Sequence, residues 1–153
     1  MKRELKEGVK APDFSLPADD GGEVRLSDYL GKQVVLYFYP KDMTPGCTCE
    51  ANDFTANLGA FKKKGVVVLG VSPDSTDSHK KFIKKEKISF ALLSDESKKT
   101  LEAYGVWKEK SMYGKKYMGV ERSTFLIDKH GVIKKIWRKV SVPGHAEEVL
   151  AAV

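Results

Sequence analysis

The sequence predicts an α/β protein: a central mixed sheet flanked by helices, with an N-terminal β-hairpin extension. Three observations carry this expectation. Two continuous β-branched and aromatic runs, residues 34–39 and 66–71, read as buried strands. Polar stretches with apolar residues at helical spacing follow them. Near the C-terminus two apolar runs, 123–127 and 132–137, flank a glycine turn.

Taken in order, residues 1–13 form a lead-in punctuated by Gly8 and Pro12. Phe14-Ser15-Leu16 and Glu23-Val24-Arg25-Leu26 alternate apolar and polar around Asp19-Asp20-Gly21-Gly22, the pattern of an antiparallel hairpin. Ser27 reads as the cap of a short helix ending near Gly31. The run 34–39, stopped by Pro40, is a central strand. A loop over 41–46 leads into a helix over 47–63, with Phe54, Leu58 and Phe61 on one face. After the second strand, Ser72-Pro73-Asp74-Ser75 opens a helix to about residue 85, its apolar face marked by Phe82 and Ile83. Residues 90–93 read as a short strand and 97–104 as a short helix closed by Gly105. The hairpin around Asp128-Lys129-His130-Gly131 follows, then Pro143-Gly144 and a last helix to Val153. A cysteine just past the first long strand, at a helix start, suits a thioredoxin-like fold, expected as one domain over residues 1–153.

The chain has 153 residues, of which 41% are hydrophobic and 31% charged, an ordinary balance for one globular domain. The net charge of +6 comes from scattered lysines, which read as a solvated surface, so no nucleic-acid partner is expected. No stretch approaches the roughly 20 apolar residues of a membrane span. The charged residues 1–6 carry no apolar signal core, so the expected location is cytoplasmic. Two cysteines, Cys47 and Cys49, exclude a disulfide framework. Cys47-x-Cys49 without a second pair is a poor zinc site, so neither metal nor cofactor is expected. His79 on a polar helix, His130 in a turn and His145 at a helix start all read as surface residues.

The chemistry-bearing segment is Pro40-Lys41-Asp42-Met43-Thr44-Pro45-Gly46-Cys47-Thr48-Cys49-Glu50. It sets a thiol in the first turn of a helix, where backbone N–H groups lack partners and the helix end is partly positive. Both features favour thiolate over thiol, and thiolate is the species that attacks an O–O bond. The hydroxyl of Thr44, three residues earlier, can donate and accept hydrogen bonds, to the sulfur and to a bound peroxide oxygen. Pro40 fixes the backbone where the strand ends, and Pro45 suits a helix start. The bland reading is that the prolines shape a turn and the threonine caps a helix.

Pro40-x-x-x-Thr44-x-x-Cys47 resembles the active-site signature of the peroxiredoxins, and the fuller run 37–47 is similar to the peroxiredoxin Q, or bacterioferritin comigratory protein, branch. Residues 105–107, 110–119 and 122–128 also resemble that branch, and the likeness runs from about Gly8 to the C-terminus. The resemblance implies a thiol-dependent peroxidase acting on hydrogen peroxide and organic hydroperoxides in antioxidant defence. It gives Cys47 the role of peroxidatic nucleophile, with Thr44, Pro40 and Arg122 as further active-site residues. The sulfenic acid formed at Cys47 would be cleared by thioredoxin, glutaredoxin or a low-molecular-weight thiol. A monomer is expected.

The chain departs from the branch at the resolving step. Where many members carry a second cysteine five residues on, this chain has Asn52, and it has none in the next helix. Cys49 is the only candidate resolving thiol; residues two apart do not share a helix face, and a Cys47–Cys49 bridge would need that turn to unwind. Turnover resolved by an outside thiol is the favoured reading, with Cys49 otherwise a small inert side chain. Trp107, Tyr113 and Met118 either line an apolar approach to the thiol or simply pack. Two other classes compete: a thiol–disulfide oxidoreductase, which would carry Cys-x-x-Cys, and a binding or holdase module with an accidental thiol.

Overall fold

The computed structural model describes residues 5–153; the first four residues of the charged lead-in lie outside the described residues. A small antiparallel hairpin pairs β1 (Ser15–Pro17) with β2 (Glu23–Arg25). The central sheet has five strands: β3 (Gln33–Phe38), β4 (Val66–Ser72), β5 (Ala91–Ser94), β8 (Ser123–Ile127) and β9 (Ile133–Trp137). Their spatial order is β5-β4-β3-β8-β9, with β3, β4 and β5 parallel and β8 and β9 antiparallel to their neighbours, so the sheet is mixed, as expected. The helices are α1 (Pro45–Lys63), α2 (Thr76–Glu86), α3 (Lys99–Ala103) and α4 (His145–Ala152).

Period-two alternation along β3 builds the two layers of the core. Val34, Leu36 and Phe38 join a cluster with Leu16, Leu26, Leu101 and Tyr104 on the side of the hairpin and α3. Val35, Tyr37 and Tyr39 join Phe54, Phe61, Phe82 and Val149 under α1, α2 and α4. Tyr37 stacks on Phe54 with ring centroids 4.8 Å apart. Fully burying an aromatic of that size stabilises the fold by about 1.5–3 kcal/mol. Gly70 makes room for the Tyr37 ring: a Cβ there would stand 2.9 Å from Tyr37 Cζ and 2.8 Å from Leu92 Cδ2.

The N-terminal segment covers both sheet edges. Gly8 N–H donates to the Ile133 carbonyl (2.7 Å) along β9, and Asp19 N–H donates to the Leu92 carbonyl (3.1 Å) along β5. This occupies strand edges that would otherwise recruit other chains. Ser75 caps α2, its Oγ accepting from Ser78 N–H at 3.2 Å, an interaction worth about 1 kcal/mol.

Four expectations need correction. Ser27 is not a helix cap: it lies inside a 3-10 turn, Leu26–Tyr29, entered at Arg25 and held by Asp28 accepting from Arg25 N–H (3.2 Å). The helix carrying Cys47 starts two residues earlier than expected, at Pro45, because proline is well placed in a first turn. A whole hairpin was not anticipated: β6 (Trp107–Met112) pairs with β7 (Lys115–Val120) outside the central sheet. The chain reverses there through Tyr113 (φ 52°) and Gly114 (φ 77°), the left-handed pair that a tight hairpin turn requires. Finally, His79 and His145 are buried, and only His130 is exposed as expected. His145 Nε2 lies 2.8 Å from Thr124 Oγ1 between Phe54 and Trp137, and burial holds its pKa below the ordinary value.

Candidate active site

The sequence brings a thiol to the C-terminal end of a parallel strand, where α/β sheets place their chemistry. β3 ends at Phe38, the chain turns through Pro40–Met43, and Thr44 serves as N-cap of α1 with extended φ/ψ of −91° and 154°. Cys47 follows in the first turn and is only 2% exposed. No acidic residue stands in that turn, and the Thr44 side chain makes no cap bond, so the partly positive helix end is left to the sulfur and whatever approaches it.

Arg122 comes from the short connection between β7 and β8, its carbonyl fixed by Val140 N–H at 3.0 Å. Its Nη2 donates to Cys47 Sγ at 3.4 Å and its Nη1 donates to Glu50 Oε1 at 2.6 Å. A planar guanidinium holds both partners at once, which the single point charge of a lysine does not. Glu50 is one helical turn beyond Cys47 on the same face of α1 and only 2% exposed. Burial pushes its carboxyl up to about 7, against the pull of the Arg122 charge. Burial also works against the Arg122 charge, but Glu50 and Cys47 outweigh it and hold the guanidinium protonated. Glu50 Oε2 and the Tyr37 hydroxyl are buried without a hydrogen-bond partner among the described residues, and burial, with Glu50 and Cys47 nearby, raises the Tyr37 phenol well above its usual range. Lys110 of β6 adds a second cation on this side: burial and Arg122 lower its pKa.

The structure thus joins Cys47 and Arg122, residues 75 apart in sequence. Thr44 is one turn before the sulfur, but its hydroxyl proton goes to the Lys41 carbonyl (2.8 Å), so it cannot be donated to the sulfur at the same time. Pro40 is partly buried at the end of β3. Cys49 is exposed while Cys47 is buried, and both are free thiols. Trp107 packs on the core beside α3, Tyr113 is 98% exposed at the β6–β7 tip, and Met118 pairs with Glu109 on the face opposite Lys110 and Tyr117. Those three therefore do not form a common lining over the sulfur. Glu50 was not singled out from the sequence, although its spacing three residues after Cys47 is a signal that could have found it.

A buried helix-start cysteine beside a guanidinium, on a mixed sheet flanked by helices, suits thiol chemistry. Residues 8–136 match the AhpC/TSA family. The chain is 56% identical to peroxiredoxin Bcp of Bacillus subtilis over 143 residues, 94% of this chain and 91% of that one. It is 47% identical to peroxiredoxin Bcp of Escherichia coli over 146 residues, 95% and 94% of the two chains. Among solved structures it is similar to a PrxQ cysteine variant of Xylella fastidiosa (42% identity, TM-score 0.93, 98% and 96% covered). It is also similar to the Xanthomonas campestris bacterioferritin comigratory protein studied for alkyl peroxide reduction (45% identity, TM-score 0.90, 96% of both chains). The chain belongs to the AhpC/TSA family, as a peroxiredoxin.

Proposed function

We propose that Cys47 is the peroxidatic nucleophile of a peroxidase reducing hydrogen peroxide and organic hydroperoxides. The observation that carries this reading is the Arg122 Nη2 contact to Cys47 Sγ at 3.4 Å, backed by Glu50. The guanidinium stabilises the sulfur anion and the oxygen charge that develops as the O–O bond stretches. Thr44 Oγ1, whose proton is engaged by Lys41, retains lone pairs to accept the peroxide O–H. Pro40 walls the site at the strand end. The sulfur–oxygen bond forms as the O–O bond breaks; Cys47 becomes a sulfenic acid, and the leaving oxyanion takes a solvent proton to become water or an alcohol.

An external thiol then condenses with the sulfenic acid, releasing water and leaving a mixed disulfide, which a second thiol reduces back to Cys47. Thioredoxin, glutaredoxin or a small cytoplasmic thiol fits this role, because Cys49 is exposed two residues from a buried Cys47 and does not share its helix face. The alkyl peroxide reduction studied in the Xanthomonas relative supports organic hydroperoxides as substrates. The protein is proposed to act as a monomeric single domain in the cytoplasm. Peroxide consumption with dithiothreitol as reductant tests the reading: Cys47→Ser should lose all of it, and retained consumption would refute the assignment.

A further inference from the structure

Beside the Cys47–Arg122 pair the structure holds a second buried polar cluster that the chemistry above leaves idle. Asp42 in the loop before Cys47 is 3% exposed, and His79 of α2 is 0% exposed. Asp42 Oδ1 accepts from the Tyr39 hydroxyl (2.6 Å), and Oδ2 accepts from the Ser78 hydroxyl (2.8 Å) and faces His79 Nδ1 at 2.7 Å. The other ring nitrogen, Nε2, lies 2.9 Å from the Leu93 carbonyl. Both nitrogens therefore face acceptors, an arrangement that a doubly protonated ring, an imidazolium, satisfies. Burial alone would lower its pKa, yet Asp42, the Leu93 carbonyl and Asp74 hold it above the ordinary value. Asp42 N–H donates to Asp74 Oδ2 (2.7 Å), which also accepts from Ser72, tying the loop to the end of β4.

The residue between this anchor and Thr44 is under strain. Met43 has φ 61°, a left-handed conformation that a side chain disfavours, and it is 44% exposed. The constraint comes from its neighbours: Asp42 fixed by the buried cluster on one side, Thr44 entering α1 on the other.

We propose that Asp42 and His79 are positioning residues, a buried ion pair that clamps the 40–44 loop onto α2 and so sets Thr44 and the first turn of α1 for attack by Cys47. The inference rests on the peroxidase reading of Cys47. Freed of the clamp, Met43 would relax to negative φ, carrying Thr44 and the helix start with it.

Stopped-flow oxidation of Cys47 by hydrogen peroxide, run beside alkylation by iodoacetamide, tests the proposal on wild type, Asp42→Asn, His79→Gln and the double variant. Each single variant should oxidise at least tenfold more slowly, while alkylation stays the same or quickens as the loop opens over a buried sulfur. The double variant, with an amide pair in place of the ion pair, should recover to within threefold of wild type. Single variants slowed less than tenfold would overturn the proposal, as would a double variant no better than the worse single. If the single variants do not fold, ring-nitrogen NMR of wild type decides: two protonated nitrogens on His79 at neutral pH are expected, and a neutral ring would overturn the ion pair. A wild type whose Cys47 ignores peroxide defeats the peroxidase reading itself; an active wild type matched by its variants defeats only the clamp.

Discussion

A methyl group on Gly46 would stand 3.2 Å from Nη2 of Arg122, the nitrogen that donates to Cys47. That separation is tighter than ordinary contact, so a Gly46→Ala substitution shifts the guanidinium or the helix start by a few tenths of an ångström. Helix propensity favours alanine by about 0.5–1 kcal/mol. The expected outcome is a protein of unchanged or slightly higher melting temperature whose Cys47 oxidation is slowed about tenfold, equivalent to about 1.4 kcal/mol of transition-state stabilisation. Stopped-flow kinetics beside a thermal melt separates the two effects.

Glu50 gives a pH signature. Its folded carboxyl titrates at about 7 rather than 4.5, so the folded state holds this proton more tightly than the unfolded chain does. Stability from this group is therefore greatest below the unfolded value and declines as pH rises towards the folded one. The shift corresponds to roughly 3 kcal/mol as an order of magnitude. Urea denaturation at acidic and at mildly alkaline pH should show wild type losing about 2–3 kcal/mol more than Glu50→Gln across that interval. Glu50→Gln should also slow Cys47 oxidation above pH 7, where the carboxylate is the charged partner of Arg122.

Cys49→Ser should keep peroxidase activity with dithiothreitol within about twofold of wild type, since the side chain is exposed and off the Cys47 face. Intact mass after one equivalent of peroxide without reductant should show a gain of oxygen in both proteins. A loss of two hydrogens in wild type alone would instead make Cys49 the resolving thiol.

Gly70→Ala probes the core behind the site. The added carbon would sit 2.8 Å from Leu92 Cδ2 and 2.9 Å from Tyr37 Cζ, inside contact distance of two fully buried side chains. Overpacking of this kind costs about 1–3 kcal/mol, readable in a denaturant titration.

The five central strands and α1, α2 and α4 were legible because each buries an apolar run or stripe, and burial writes periodicity into sequence. The β6–β7 hairpin was not, because the strand residues 108–112 and 115–118 are exposed or partly so and rich in lysine, with no buried apolar run. Only the Tyr113-Gly114 turn announced it. In the site, Cys47 and Thr44 could be reasoned from local chemistry, but Arg122 is brought in by sheet pairing, and only the family resemblance singled it out. His79 was misread because its helix neighbours are Ser78, Lys80 and Lys81, while the acceptors that justify burying it, Asp42 and Leu93 O, come from distant segments.

The pairing of β3 with β8 also governs when the site comes into being. Val34 lies opposite Ile127 and Phe38 opposite Ser123, so the middle of the sheet joins the first third of the chain to its last. A chain emerging from the ribosome exposes Cys47 long before β8 and Arg122 exist. Parallel pairing of β3 with β4 can form early, but it leaves the sulfur without its cation and one edge of β3 unpaired. The nascent protein therefore carries an unguarded thiol through about half of its synthesis, and the proposed reactivity toward peroxide is complete only as the last quarter of the chain folds home.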